Sequence, residues 1–244
     1  MEVHAHSHTA RKKWTHYLWE FLMLFLAVFC GFLAEYQLEH IIENQREKQY
    51  MISMVEDLKS DALMLRKNVE QRKMRMPMVD SLVFLLNLKQ PNSQGSDIHF
   101  LGRSISPPLN IFPNDRTIQQ LKGSGNLRLI RKKNVSNSIM AYDQKMRNSL
   151  FEMGDEIQIR AEYRQAASKV FNTTVFSEIS GLDLITRPIG NPTLFSSDPA
   201  LINELIGAAQ YVNRIHRSQM NISKELLSMN TQLMELIKKE YHLK

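Results

Sequence analysis

Cysteine is almost missing from this chain: its 244 residues hold one, Cys30. That excludes a disulfide framework and any Cys-based metal site in the residues that follow it. Glycine (9) and proline (8) are scarce as well. A β-sandwich needs frequent turns, so this scarcity favours long helices. Catalytic signatures are lacking too. There is no GxSxG elbow, no dinucleotide fingerprint and no Cys nucleophile, and His40, His99, His216 and His242 show no HExxH-type zinc spacing. The net charge of +6 is spread along the chain. A nucleic-acid surface would gather it into a stripe with aromatics between the charges, so no nucleic-acid partner is expected. The densest basic stretch, Lys122 to Lys133, reads as a solvated turn and helix start. The expectation is a protein that is not an enzyme and carries no cofactor and no metal.

What the chain does have is one long apolar run, Trp14 to Tyr36. From Phe21 to Ala34 every residue is apolar or Gly. A bilayer core needs about 20 predominantly apolar residues. Trp14, Tyr17 and Trp19 at one end and Tyr36 at the other suit the headgroup layer. Glu20 is tolerable there but costly at mid-bilayer. Arg11, Lys12 and Lys13 precede the run, whereas Glu35, Glu39 and Glu43 follow it. The bias of Lys and Arg toward the cytoplasmic side puts the amino end inside and the residues after Tyr36 outside. The rival readings fit less well. A cleaved signal wants small residues at the cut, and Phe32 spoils the site before Ala34. A lipoprotein signal wants a small residue before its Cys, and Phe29 stands there. A buried core helix is the third alternative, favoured by Glu20 and by the modest length.

Three segments follow: a polar tail (residues 1–13), a transmembrane helix (14–36) and a helical extracytoplasmic domain (37–244). The tail alternates His4, His6 and His8 but lacks carboxylate or Cys partners, so it reads as disordered rather than metal-binding. Beyond the span, Met51, Val55, Leu58, Ala62, Leu65, Val69 and Met76 recur with alternating spacings of four and three, Arg72 being the polar exception. That is the seam of a coiled coil or bundle. Pro77 predicts a kink or a new helix running to about Lys89. An irregular region with six Pro and Gly residues comes next, with a short extended piece at Ile98–Leu101. Asn114 or Asp115 would cap the following helix. Gly123-Ser124-Gly125-Asn126 reads as a plain turn, since no strand precedes it to make a phosphate loop.

Asn134 opens a predicted helix to about Asn172, with Val135, Ile139, Tyr142, Met146, Leu150, Met153 and Ile157 as its seam. Gly154 inside it suggests a close helix contact. A second irregular region spans 173–197. Asp198 as N-cap and Pro199 at the first position then start the last helix. Its seam reads Leu201, Leu205, Ala208, Val212, Ile215, Gln219, Ile222, Leu226, Met229, Leu233 and Leu236. His216 would sit at the bundle edge. Asp57 and Asp61, four apart, share one face, which reads as solvated rather than as a carboxylate site. The fold class is therefore all-α, a long-helix bundle.

The segments REKQYMISMVEDLKSD and TIQQLKGSGNLRLIRKKNVSNSI, after an amino-terminal span, resemble an uncharacterised family of single-pass membrane proteins from Gram-negative bacteria. LKGSGNLRLI is the most specific part. The resemblance implies an inner-membrane anchor with a helical outer domain, and it brings no activity or site residue. Besides the lipid bilayer, the expected partner is a second copy or another helical protein. A sensing or ligand-binding module that acts through a membrane partner is the alternative.

Overall fold

The computed structural model describes residues 14–181 and 184–243. The His4–His8 tail therefore lies outside the described residues. Those residues form an all-α fold of six helices. They are α1 (Trp14–Leu86), α2 (Gly95–Ser104), α3 (Arg116–Gly123), α4 (Lys133–Val170), α5 (Thr173–Ile179) and α6 (Pro199–Tyr241). Contacts divide the chain into two units, Met1–Gln49 and Tyr50–Lys244.

In the first unit, every residue from Trp14 to Glu39 is exposed. Ring pairs at helical spacing line one side: Phe21 and Phe25 stack at 6.3 Å, and Phe25 and Phe29 at 5.9 Å. Glu20 lies 3.3 Å from His16, one turn earlier. This is the stretch of α1 that is long and apolar enough to cross a membrane.

The second unit is built from three long seams. Its part of α1 buries Met51, Met54, Leu58, Asp61, Leu65, Asn68, Arg72, Val79, Leu82 and Leu86. α4 buries Val135, Ile139, Tyr142, Met146, Ser149, Met153, Glu156, Arg160, Tyr163, Ala167 and Val170. α6 buries Leu205, Ala209, Val212, His216, Gln219, Ser223, Leu226, Asn230, Leu233 and Ile237. Each series keeps the alternation of four and three, α1 passing over the half-buried Arg75, and this is the signature of helices packed at small crossing angles. The buried apolar residues fall into two clusters. One joins Met51–Leu65 of α1 to Val135–Met153 of α4 and Leu226–Ile237 of α6. The other joins Val79–Leu86 to Tyr163–Val170 and Leu205–Val212. α1 and α4 therefore run in the same direction between the clusters, and α6 runs back. The segment between α1 and α4 has to return the chain from the second cluster to the first. α2 packs on the second cluster through Ile98, and α3 on the first through Leu121.

Several local expectations change. α1 continues through Pro77 without interruption. Pro77 is exposed, and so is Lys73, the residue whose carbonyl loses its helical partner. Ile98–Leu101 is not extended; it lies in α2 and buries Ile98, His99 and Leu101. Gly102 explains the close fit there, because a Cβ at that position would stand 2.4 Å from the Phe171 ring. Gly154 has the opposite surroundings: a Cβ would meet nothing within 4 Å, so no helix contact sits there. Asp115 precedes α3 but makes no side-chain cap bond, and α4 begins after Lys132, two residues before Asn134. The second irregular region contains α5, capped by Asn172. Asp198 and Pro199 open α6 as expected, with the Asp198 carboxylate accepting from the Ala200 N–H at 2.8 Å.

Candidate functional site

Between the two apolar clusters the three seams turn polar together. α1 brings Asn68 and Arg72, α4 brings Glu156 and Arg160, and α6 brings His216, Gln219 and Ser223. Glu156 is the centre. Its Oε2 accepts from Arg72 Nη2 at 2.8 Å, and its Oε1 accepts from Arg160 Nε and Nη2 at 2.8 and 2.7 Å. The remaining N–H groups reach backbone carbonyls and a side-chain amide. Arg72 donates to Leu109 O at 3.0 Å and to Asn68 Oδ1 at 2.8 Å. Arg160 donates to Ile105 O at 2.5 Å. The connection between α2 and α3 is thus tied to the middle of the bundle by arginine side chains. Ser223 donates to Asn68 Oδ1 at 3.2 Å and brings α6 into the same network.

His216 is fully buried, not at the bundle edge as its sequence position suggests. Its Nδ1 lies 3.4 Å from Arg72 Nη1, and its Nε2 lies 3.4 Å from Arg160 Nη2. A neutral imidazole has one acceptor nitrogen, so it can receive only one of these donors. Burial, with Arg160 and Arg72 beside it, lowers its pKa to about 3. The ring is neutral at pH 7. Glu156 is held below the ordinary carboxylate range: burial opposes its charge, and Arg72 and Arg160 more than offset that. Arg75, one turn after Arg72, is half-buried and donates to Pro107 O. Burial and the neighbouring Arg160 lower it to about 10. The layer therefore holds one carboxylate against three guanidiniums. Each half of the Glu156 pairing is desolvated, so the network specifies alignment more than it adds stability.

Asp57 and Asp61 are buried too, at 3% and 4% exposure, against the expectation of a solvated face. They hold the entrance to α3. Asp57 Oδ2 accepts from the Thr117 N–H at 2.9 Å, and its Oδ1 accepts from Arg116 at 3.0 Å. Asp61 accepts from the Asn114 N–H at 2.7 Å and from the Tyr142 hydroxyl at 2.9 Å. Asn230 of α6 donates to that same hydroxyl at 3.2 Å. Burial raises the Asp61 pKa above its ordinary value. Asp57 thus caps α3 and Asp61 holds the chain just before it, with every carboxylate oxygen spent on an N–H or O–H.

Among the described residues no group of three His, Cys, Asp or Glu side chains could hold a metal ion. His99 is buried against Phe171 and Phe176 and donates through Nδ1 to Gly95 O at 2.7 Å. His242 ends α6 in a left-handed conformation. His40 pairs with Glu43 at 3.8 Å and stacks edge-on with Tyr36. The segment LKGSGNLRLI closes α3, turns at Gly125 and buries Leu121 and Ile130 in the first cluster, with Asn126 donating to the Tyr50 hydroxyl at 2.8 Å. Sequence reasoning missed Glu156 and Arg160. Their spacing of four and their place in the seam of α4 were the available signal. No family model, curated protein or solved structure matches this chain.

Proposed function

We propose that the protein is a membrane-anchored structural or interaction module, with α1 as its anchor and the Tyr50–Lys244 bundle as its working part. The apolar band of α1 carries the reading. Its residues from Trp14 to Glu39 are exposed, and so large a bare apolar surface needs lipid or a partner. The amino end is cytoplasmic, by the Arg11–Lys13 bias. Labelling in spheroplasts tests this on a Cys30→Ser background. Ser124→Cys, at the exposed turn after α3, should react with a membrane-impermeant maleimide, and His8→Cys should not. The reverse pattern would refute the orientation.

A second apolar face supports the interaction half of the reading. Leu150 and Ile157, expected in the seam of α4, lie on its outer side with Phe151, which is 87% exposed. They surround Gly154 at helical spacing, a surface on which another helix can pack closely. Phe151→Asp should shift the full chain in mild detergent from oligomer to monomer by light scattering, and a monomeric unmodified protein would remove this support. The alternative reading is a sensing module that acts through a membrane partner.

A further inference from the structure

The polar layer has an excess of positive charge, and one side of it opens to solvent. A groove of about 530 Å³ runs between α1, α2 and the segment after α5. That is the size of a small-molecule site. Arg75 enters it from α1 and Arg103 from α2. Arg75 bonds to Pro107 O, and Arg103 Nε donates to Ser180 Oγ at 2.7 Å. Neither guanidinium has a carboxylate partner among the described residues. Behind Arg75 lie Arg72 and Arg160, and Glu156 is the single carboxylate they share. The rest of the wall is mixed: Met74, Met78, Phe100 and Leu184 give it an apolar strip, and Gln71, Ser104 and Ser180 stand beside that strip.

We propose that this groove binds a small amphiphilic carboxylate, its anionic head on Arg75 and Arg103 and its apolar body along Met74, Met78, Phe100 and Leu184. Three arguments support this. A guanidinium presents paired planar N–H donors that match the two oxygens of a carboxylate. Two such groups with spare donors, beside Arg72 and Arg160 that share one carboxylate, attract an anion. The walls then choose among anions. They offer thioether and aromatic surface, which adapts to an aliphatic or aromatic body and which a compact anion such as phosphate leaves unused. This goes beyond the anchored-module reading, and the labelling and self-association tests above are unaffected by its outcome.

The test uses the full chain in lipid nanodiscs with ¹³C-methyl methionine. Hexanoate is the probe. Hexanamide has the same body without charge, acetate has the charge without the body, and inorganic phosphate is a compact anion. Saturable shifts of the Met74 and Met78 methyls are expected with hexanoate, while Met51 and Met54 of the first apolar cluster stay still. Hexanamide, acetate and phosphate should each bind at least tenfold more weakly. Arg75→Gln and Arg103→Gln should each weaken hexanoate at least tenfold, with Arg217→Gln on α6 as the unaffected control. Arg103 is outside the buried network, so Arg103→Gln serves if Arg75→Gln fails to fold. Equal shifts by hexanoate and hexanamide would overturn the proposal. So would phosphate binding as tight as hexanoate, undiminished binding in Arg103→Gln, or no saturable shift at Met74 and Met78.

Discussion

The two apolar clusters and the polar layer between them solve the same packing problem in different ways. In the clusters, positions such as Leu58, Leu65, Leu226 and Leu233 are filled by side chains of similar shape. A slip of one heptad would still place an apolar residue opposite an apolar residue. In the layer, Arg72 meets Glu156 and His216 in one alignment only. Burial stabilises the clusters, and directional bonds fix the register of the layer. The comparison teaches that a buried seam need not be an apolar one when its charged side chains meet partners across the bundle.

The largest expected effect comes from breaking the layer at its centre. Glu156→Gln leaves Arg72 and Arg160 buried without their counter-charge and should cost about 3–5 kcal/mol. Leu226→Ala in the first cluster should cost about 2–5 kcal/mol by leaving a cavity. Urea unfolding of the full chain in mild detergent, followed by circular dichroism, compares them. A near-silent Glu156→Gln would mean that the layer is solvated and unlike the clusters only in composition.

The next effect separates the regions by pH. His216 has its pKa lowered to about 3 in the folded chain, against about 6.5 unfolded. The folded state resists protonation, so this contribution is complete above pH 6.5 and is lost as the pH falls toward 3. One proton over the interval from pH 6.5 to 5 amounts to about 2 kcal/mol. His99, also lowered by burial, acts in the same direction. Thermal melts at pH 7.5 and 5 should show a drop that His216→Gln reduces but does not abolish. An unchanged drop in that variant would place the sensitivity elsewhere. The smallest effect is at Gly154, outside both regions. Gly154→Ala meets nothing and should stabilise α4 by about 0.5–1 kcal/mol, the ordinary helix-propensity gain. Gly102→Ala would collide with Phe171 in the second cluster and should destabilise. The two melting temperatures should move in opposite directions.

How far the sequence showed this can be argued from α6. Half of its seam was legible: Leu205, Val212, Gln219, Leu226 and Leu233 are buried as read. The alternate positions were read one residue early, as Ala208, Ile215, Ile222, Met229 and Leu236. The structure buries Ala209, His216, Ser223, Asn230 and Ile237 instead. Both series keep heptad spacing, so periodicity could not separate them, and a preference for apolar residues chose wrongly. His216, Ser223 and Asn230 are inside because Arg72, Asn68 and Leu58 O wait for them across the bundle. Such partners are invisible along a single helix. A displacement of one residue in the other direction hid Ser149 and Glu156 behind Leu150 and Ile157 on α4. The all-α class and the start of α6 were legible because local capping and composition decide them.

The cap of α3 bears on the order of folding. α3 has eight residues, and the carboxylate that receives its Thr117 N–H belongs to Asp57, sixty positions earlier. A helix this short does not persist alone in water. Its nucleation is therefore borrowed: α3 settles once the Asp57–Asp61 turn of α1 is in place to receive the Thr117 amide and to hold Asn114 ahead of it, and it forms as a dependent of the bundle rather than as a seed for it.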